Sequence, residues 1–493
     1  MKIILPKSIK SQLRCFLVDD NESTKQAALA LAEAATSFFE DVPIFVHKFD
    51  HRANIIIGAS AKLNLKADND CKRLYFPVSS QLPEYIPGNP LDIKVKNKLT
   101  YINTQILYFL FNEIRKYSDG GINSNKVIQT LRELEKFLRP LTDHKSRKRA
   151  ITLFTIDSED QHNYFNNKQK RCTDINGSKI DLQDMRFNNA LACSLERLNK
   201  FNIHPTFMVT GSEISNISRD GFGNPLLEID KNIRELKKIS ADKNVSIAFH
   251  SFNHQEWLKF GKSGNEPMSI WGKLSYFFSS GGNVRLLGRY IKGIWRLRHL
   301  EKEKLGEKGD FISSELKRQF QGLEDLYRKH NISFTKFFRS PGFRRSKTLI
   351  KYLNDNQFTD SSDILSIDPI VAPLPYYLFV EDGREISLSL VKEFPCFFID
   401  RYLRTTKKSE LDKCLKYLRA VYSNPDSVLT IVTHTKVTGS NFNHCHIYPR
   451  NPKSGLAQPP IEKNLEKVYT CIREHSSSLS FKEYLKTEAE NGR

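Results

Sequence analysis

The stretch SIAFHSFNHQEW, residues 246–257, decides how this chain is read. Ser246, Ile247, Ala248 and Phe249 form a short, mostly apolar run that ends at His250. A run of that length meeting a polar residue has the form of a buried strand opening into its C-terminal loop. His254 follows four positions later. If the chain turns helical there, residues four apart share a face. Both imidazoles would then aim at one point, as a divalent metal requires. Two loop histidines satisfied by their neighbours would look the same in a sequence, so the pair needs support from the rest of the chain.

That support comes from the rhythm on either side. From residue 151 onward the pattern alternates: a strand at 151–156, a helix near 188–199, a strand at 206–209, a helix near 231–240, then the strand leading to His250. Beyond lie a helix over 315–330, a strand at 336–338, a helix at 346–356, and short strands near 358, 391–394 and 428–432. Alternating strands and helices imply a parallel sheet or barrel. In such folds reactive groups collect at the C-terminal ends of strands. Four of these ends carry chemistry: Asp157-Ser158-Glu159-Asp160, His250 with His254, Arg339-Ser340-Pro341-Gly342, and Thr433-His434. A carboxylate with two imidazoles can hold Zn²⁺ or a similar ion with a position open for water. A second carboxylate can take a proton from that water, and a separate histidine can give one to a leaving group. His434 could also be grouped with His444 and His446 as a second metal site, but those two sit in an Asn/Gly-rich loop and read as ordinary loop residues.

With these residues in view, the chain resembles the polysaccharide deacetylase, or NodB-homology, group of carbohydrate esterase family 4. The resemblance covers roughly residues 148–490 and rests on motifs in the family's order. TIDSED (155–160) is similar to the T-F-D opening, HPTFMVTG (204–211) to the A-T-F-F-x-x-G strand, and HSFNH (250–254) to the H-[ST]-x-x-H metal motif. FFRSPG (337–342) is similar to the R-x-P motif, FTDSS (358–362) to a Y-D-S-S variant, and TIVTHT (430–435) to the final histidine strand. The resemblance implies an α/β fold, a distorted (β/α)7-type NodB barrel. It implies Asp157 as general base, His434 as general acid, and Arg339 holding Asp157 ionised, a task suited to a bidentate donor. It implies His250 and His254 as metal ligands, and Asp360 as the candidate partner orienting His434. Two positions depart from the pattern. Ser158 stands where the family has a second, metal-binding aspartate, so the third ligand is assigned to Glu159, with Asp160 as the fallback. Gly342 replaces the usual tyrosine, so the backbone N–H near Gly342 is expected to serve the oxyanion. The implied cofactor is a divalent metal, Zn²⁺ first, with Co²⁺, Mn²⁺ or Ni²⁺ as alternatives.

Ahead of this region, residues 1–145 read as a separate α/β domain of unassigned role, ended by Pro140 and the basic run KSRKR at 145–149. Within the barrel, 258–310 breaks the rhythm as an insertion. Its segment 284–300 sets Leu287, Ile291 and Trp295 on one helical face and Arg289, Lys292 and Arg296 largely on another. That pattern suits the surface of an anionic membrane. The formal charge of +20 favours anionic partners without choosing among them. No zinc-finger spacing, RNP-like motif or P-loop is present, so nucleic acid is not expected as a partner. The eight cysteines include no C-x-x-C pair and read as reduced thiols. MKIILPKS at the N-terminus is not a signal peptide by pattern. The expectation is a cytoplasmic enzyme, peripheral to the inner face of the membrane, that removes an N-acyl group from an amino sugar in surface polysaccharide biosynthesis. Its substrate is expected to be nucleotide- or lipid-linked. A non-sugar amide hydrolase and a non-catalytic glycan-binding protein are the alternatives.

Overall fold

Two sheets organise the chain, and the register of the second brings distant residues together. The structure, a computed structural model, describes residues 12–39, 43–48, 51–59, 73–88, 94–96, 99–117, 124–142, 147–158, 187–214, 229–252, 313–340, 347–358, 360–361, 374–403, 405, 407–438 and 461–490. The expected insertion 258–310 lies outside them.

The first sheet contains β1 (Arg14–Leu17), β2 (Ile44–Val46), β3 (Ile55–Gly58), β4 (Arg73–Pro77), β5 (Lys94–Lys96) and β6 (Leu99–Tyr101), in the order β2-β1-β3-β4-β6-β5. All neighbours are parallel except β5 and β6. The Asn21 carboxamide accepts from the Thr24 N–H at 2.8 Å and starts the helix Glu22–Phe39. Asp19 accepts from the Thr24 hydroxyl at 2.6 Å and from the Ala59 N–H at 3.2 Å, tying the ends of β1 and β3 together.

The second sheet contains β7 (Ala150–Ser158), β8 (Pro205–Val209), β9 (Ser246–Phe249), β10 (Phe337–Phe338), β11 (Asp360–Ser361), β12 (Tyr376–Asp382), β13 (Glu385–Glu393), β14 (Cys396–Phe398), β15 (Val428–His434) and β16 (Ser476–Ser478). Its path is β12-β13-β11-β10-β9-β8-β7-β15-β14, with β16 beside the first half of β7. From β13 to β14 every pair is parallel, and only β12 is antiparallel. The expected barrel is thus an open, curled sheet: among the described residues its end strands, β12 and β14, do not pair.

Alternation along β7 shows which face is which. Ala150, Phe154 and Ile156 belong to the large core under the helices. Ile151 and Leu153 point the other way, into a small inner core with Met208, Ala248, Phe337, Phe394 and Val428. Period-two geometry then puts Thr155 and Asp157 on the inner face as well. The C-terminal helix Phe481–Glu490 closes the bottom of this interior. The Phe481 ring stacks on Phe337 with centroids 4.0 Å apart. Its first free N–H groups are taken by strand hydroxyls, Phe481 by Thr206 at 2.9 Å and Lys482 by Ser246 at 2.7 Å. With the N-terminal end filled, the C-terminal ends of the strands are left for function.

The two regions share a core. The helix Glu22–Phe39 packs against its own sheet and also against the β12–β13 hairpin. It is buried on nearly every side, and its alanines at 27, 28, 30, 32, 34 and 35 allow that close approach. Phe111 meets Phe379 of the hairpin at 5.3 Å. The Arg139 guanidinium and the Arg147 backbone N–H both donate to the Asp426 carboxylate, at 3.0 and 2.9 Å, just before β15.

Candidate active site

The site is built where the inner face of the sheet reaches the C-terminal ends of β7, β9, β10 and β15. Parallel pairing sets His434 beside Asp157. Phe338 pairs with Phe249, so the next residues, Arg339 and His250, also sit side by side. Between β10 and β7 lie three strand spacings, about 14 Å in a flat sheet. Side chains leave a flat sheet in parallel directions and would not converge across that span. Here Arg339 Nη1 donates to Asp157 Oδ1 at 2.6 Å, so it is the curl of the sheet that joins them.

Arg339 is fully buried, with Asp157 and His250 nearly so. Burial by itself would push the Asp157 carboxyl up, but the Arg339 guanidinium beside it holds it below the usual carboxylate range. The guanidinium makes a second bond, from Nη2 to the Thr155 hydroxyl at 2.6 Å. The backbone carbonyl of Arg339 also takes part, lying 2.9 Å from His250 Nδ1. A carbonyl only accepts, so Nδ1 carries the hydrogen and the Nε2 lone pair is left facing the interior. That Nε2 lies 4.0 Å from Asp157 Oδ2.

The backbone at His250 is tightly constrained. Ser251 is held at φ +68°, an uncommon conformation for a residue with a side chain, and its carbonyl accepts from the Gly211 N–H at 3.1 Å. A Cβ on Gly211 would lie 2.7 Å from the Phe252 ring, so glycine lets this loop close over β8. The Phe252 N–H is in turn held by the buried Gln319 side chain at 2.9 Å.

His434 stands at the mouth. Its side chain is 18% exposed, against 3% for Asp157 and 2% for His250. The carboxylate that meets it is Asp400, whose Oδ2 lies 2.7 Å from Nδ1 while its Oδ1 accepts from the Thr433 hydroxyl at 2.6 Å. Asp400 follows β14, which pairs with β15. The Phe398 ring meets the imidazole edge-on at 5.6 Å.

Of the residues singled out from sequence, the structure therefore brings together Asp157, His250, Arg339 and His434. Glu159, Asp160, His254 and Gly342 lie outside the described residues. Asp360 is described in backbone only, on β11 between β10 and β13. The partner of His434 missed by sequence reasoning is Asp400. Ser158 turns its hydroxyl back to the Ile156 carbonyl at 3.1 Å. Among the described residues no three His, Cys, Asp or Glu side chains form a metal cluster. The part of the expected ligand set that is described fits a metal: His250 presents a lone pair inward with its other nitrogen fixed by a carbonyl, as ligating histidines do.

No protein-family model matches the chain, and no curated protein matches it in sequence. Solved structures do. The similar folds are polysaccharide deacetylases and their relatives. One is a candidate polysaccharide deacetylase from Mycobacterium smegmatis, 11% identical, covering 71% of this chain and 93% of its own, with a TM-score of 0.38. Another is a candidate polysaccharide deacetylase involved in O-antigen biosynthesis from Bordetella bronchiseptica, 9% identical, covering 71% and 92%, with a TM-score of 0.25. A third is a carbohydrate esterase family 4 pseudoenzyme from Bacillus anthracis, 12% identical, covering 59% and 58%, with a TM-score of 0.28. At these values the functional reading is carried by the residues of the site.

Proposed function

We propose that this protein is a metal-dependent hydrolase that removes an N-acyl group, acetyl first, from an amino sugar on the way to a surface polysaccharide. The observation that carries the reading is the Asp157–Arg339 pair beside the inward Nε2 of His250, with an Asp400-bound His434 at the mouth. Two groups of opposite task stand in different surroundings. Asp157 is kept ionised and can accept a proton from an attacking water. His434, held through Nδ1, turns Nε2 to the site and, with both ring nitrogens protonated, can deliver the Nε2 proton to the departing amine nitrogen. The water oxygen bonds to the acyl carbon, the C–N bond breaks, and a carboxylic acid and a free amine leave. His250, with His254 and Glu159, would hold the divalent ion, which when bound activates water and polarises the acyl oxygen. The N–H near Gly342 would bind that oxygen from the protein side.

A nucleotide- or lipid-linked sugar at the cytoplasmic face of the membrane is the proposed substrate form. The net charge of +20 supports it, since either carrier is anionic. Among the described residues no helix is long and apolar enough to cross a membrane. Segment 284–300 lies outside the described residues, and its contact with an anionic surface is proposed on its sequence alone. Charge reversal at Arg289, Lys292 and Arg296 is expected to abolish sedimentation with anionic vesicles; unchanged sedimentation would remove this part of the reading. For the chemistry, acetate or formate release from N-acyl sugar donors should depend on added metal and be lost in His250→Ala. Release that ignores both chelator and that substitution would refute it.

A further inference from the structure

We propose that Thr155 is a positioning residue for the general base, acting through Arg339; this rests on the functional reading above. Three strands meet at its hydroxyl. Thr155 lies on β7, two residues before Asp157 and on the same inner face. Its Oγ1 donates to the Ile431 carbonyl on β15 at 2.7 Å. A hydroxyl has one hydrogen, and that bond uses it. The remaining lone pairs are therefore turned to Arg339, whose Nη2 donates at 2.6 Å from the end of β10. The direction of both bonds is fixed by this arithmetic, so the guanidinium is held at one nitrogen while the other holds Asp157.

Why an anchor is needed follows from the position of Arg339. It leaves a two-residue strand and reaches across the interior with a long side chain. How well a long arginine side chain is positioned depends on how many of its nitrogens are held. A second, uncharged acceptor on the same strand as the base fixes the fork relative to that base. Threonine suits the task because its branched Cβ restricts χ1 and so aims the hydroxyl. It is fully buried, which keeps water from replacing that bond. The Arg339 carbonyl also holds His250, so the anchor steadies the residue that links the base to the candidate metal ligand. A competing account gives Thr155 only the task of satisfying the Ile431 carbonyl.

The test uses the intact, metal-loaded protein and steady-state acyl release from one N-acyl amino sugar. Thr155→Val removes the hydroxyl at constant shape. It should lower kcat by about 10–100-fold, the scale on which loss of a supporting contact behind a reacting group is felt, with KM nearly unchanged. Thr155→Ser should recover most of kcat. In an Arg339→Lys background Thr155→Val should lower kcat no further. In the metal-free protein, the fall in unfolding temperature for the double substitution should be less than the sum of the two single ones. A wild-type kcat in Thr155→Val, a serine variant no better than valine, or fully additive losses would overturn the proposal. If valine prevents folding, Thr155→Ala is read by the same criteria. If the wild-type protein releases no acyl group, the functional reading fails, and Thr155 is judged on the unfolding temperatures alone.

Discussion

His434 is useful only in one orientation, and Asp400 is what fixes it. The carboxylate at 2.7 Å holds the hydrogen on Nδ1 and leaves Nε2 for the substrate. Asp400→Asn keeps the shape but replaces the anionic acceptor of the Nδ1–H by a neutral amide, so the doubly protonated ring that must give up its Nε2 proton loses its counter-charge. We expect kcat to fall by about 10²–10⁴-fold with KM little changed, as steady-state kinetics would show. Asp400 was not legible in the sequence. It follows the short run Cys396–Ile399 behind Pro395, and nothing in the linear pattern ties that run to the strand of His434. His250, Arg339 and Asp157 were legible because each ends an apolar run within a repeating pattern. Their mutual contacts were not, since they depend on how far the sheet curls.

At the scale of elements, the strand-and-helix rhythm of the second region was visible, but the β12–β13 hairpin was not read. Its two-residue turn is Gly383-Arg384, with Gly383 at φ +62° in the first central position, where a tight hairpin calls for glycine. The hairpin takes the site's sheet into contact with the helix Glu22–Phe39, whose helical spacing showed in the sequence but whose burial on nearly every side did not. The loop after β8 gives a direct test of local packing. Gly211→Ala puts a methyl 2.7 Å from the Phe252 ring, and overpacking of this kind destabilises by about 1–3 kcal/mol. Chemical denaturation should show that loss, together with a fall in acyl release, because the Gly211 N–H holds the carbonyl of Ser251 beside His250. At the other end of β15, Asp426→Ala would remove the carboxylate that accepts from the Arg139 guanidinium and from the Arg147 backbone N–H, at about 1–3 kcal/mol. Equilibrium unfolding of that variant measures the tie between the two regions.

For the whole molecule, the first region and the second are in contact through one shared core. Around the stretch 140–149, the Arg139 guanidinium and the Arg147 backbone N–H donate to Asp426, and the Arg147 guanidinium grips Glu488 of the last helix at 2.9 Å. Glu33 sits within this shared core. Burial pushes its carboxyl well above the ordinary range, against a small opposing effect from the Ser37 hydroxyl. A group whose folded value is raised contributes stability that is complete below its unfolded value, about 4.3, and is lost as pH rises through the folded value. Glu33→Gln removes that loss. Thermal unfolding followed from about pH 4 to about pH 8 should therefore show a flatter profile in the variant, with its advantage growing as pH rises. The account as a whole rests on the claim that Asp157, His250, Arg339 and His434 form a metal-dependent deacylation site. The most direct test is acetate release from N-acetylated amino-sugar donors by the intact protein, with and without chelator, beside Asp157→Asn. The account predicts release that stops with chelator, returns with Zn²⁺ or Co²⁺, and is absent in the variant; release that persists in the chelated protein and in Asp157→Asn would contradict it.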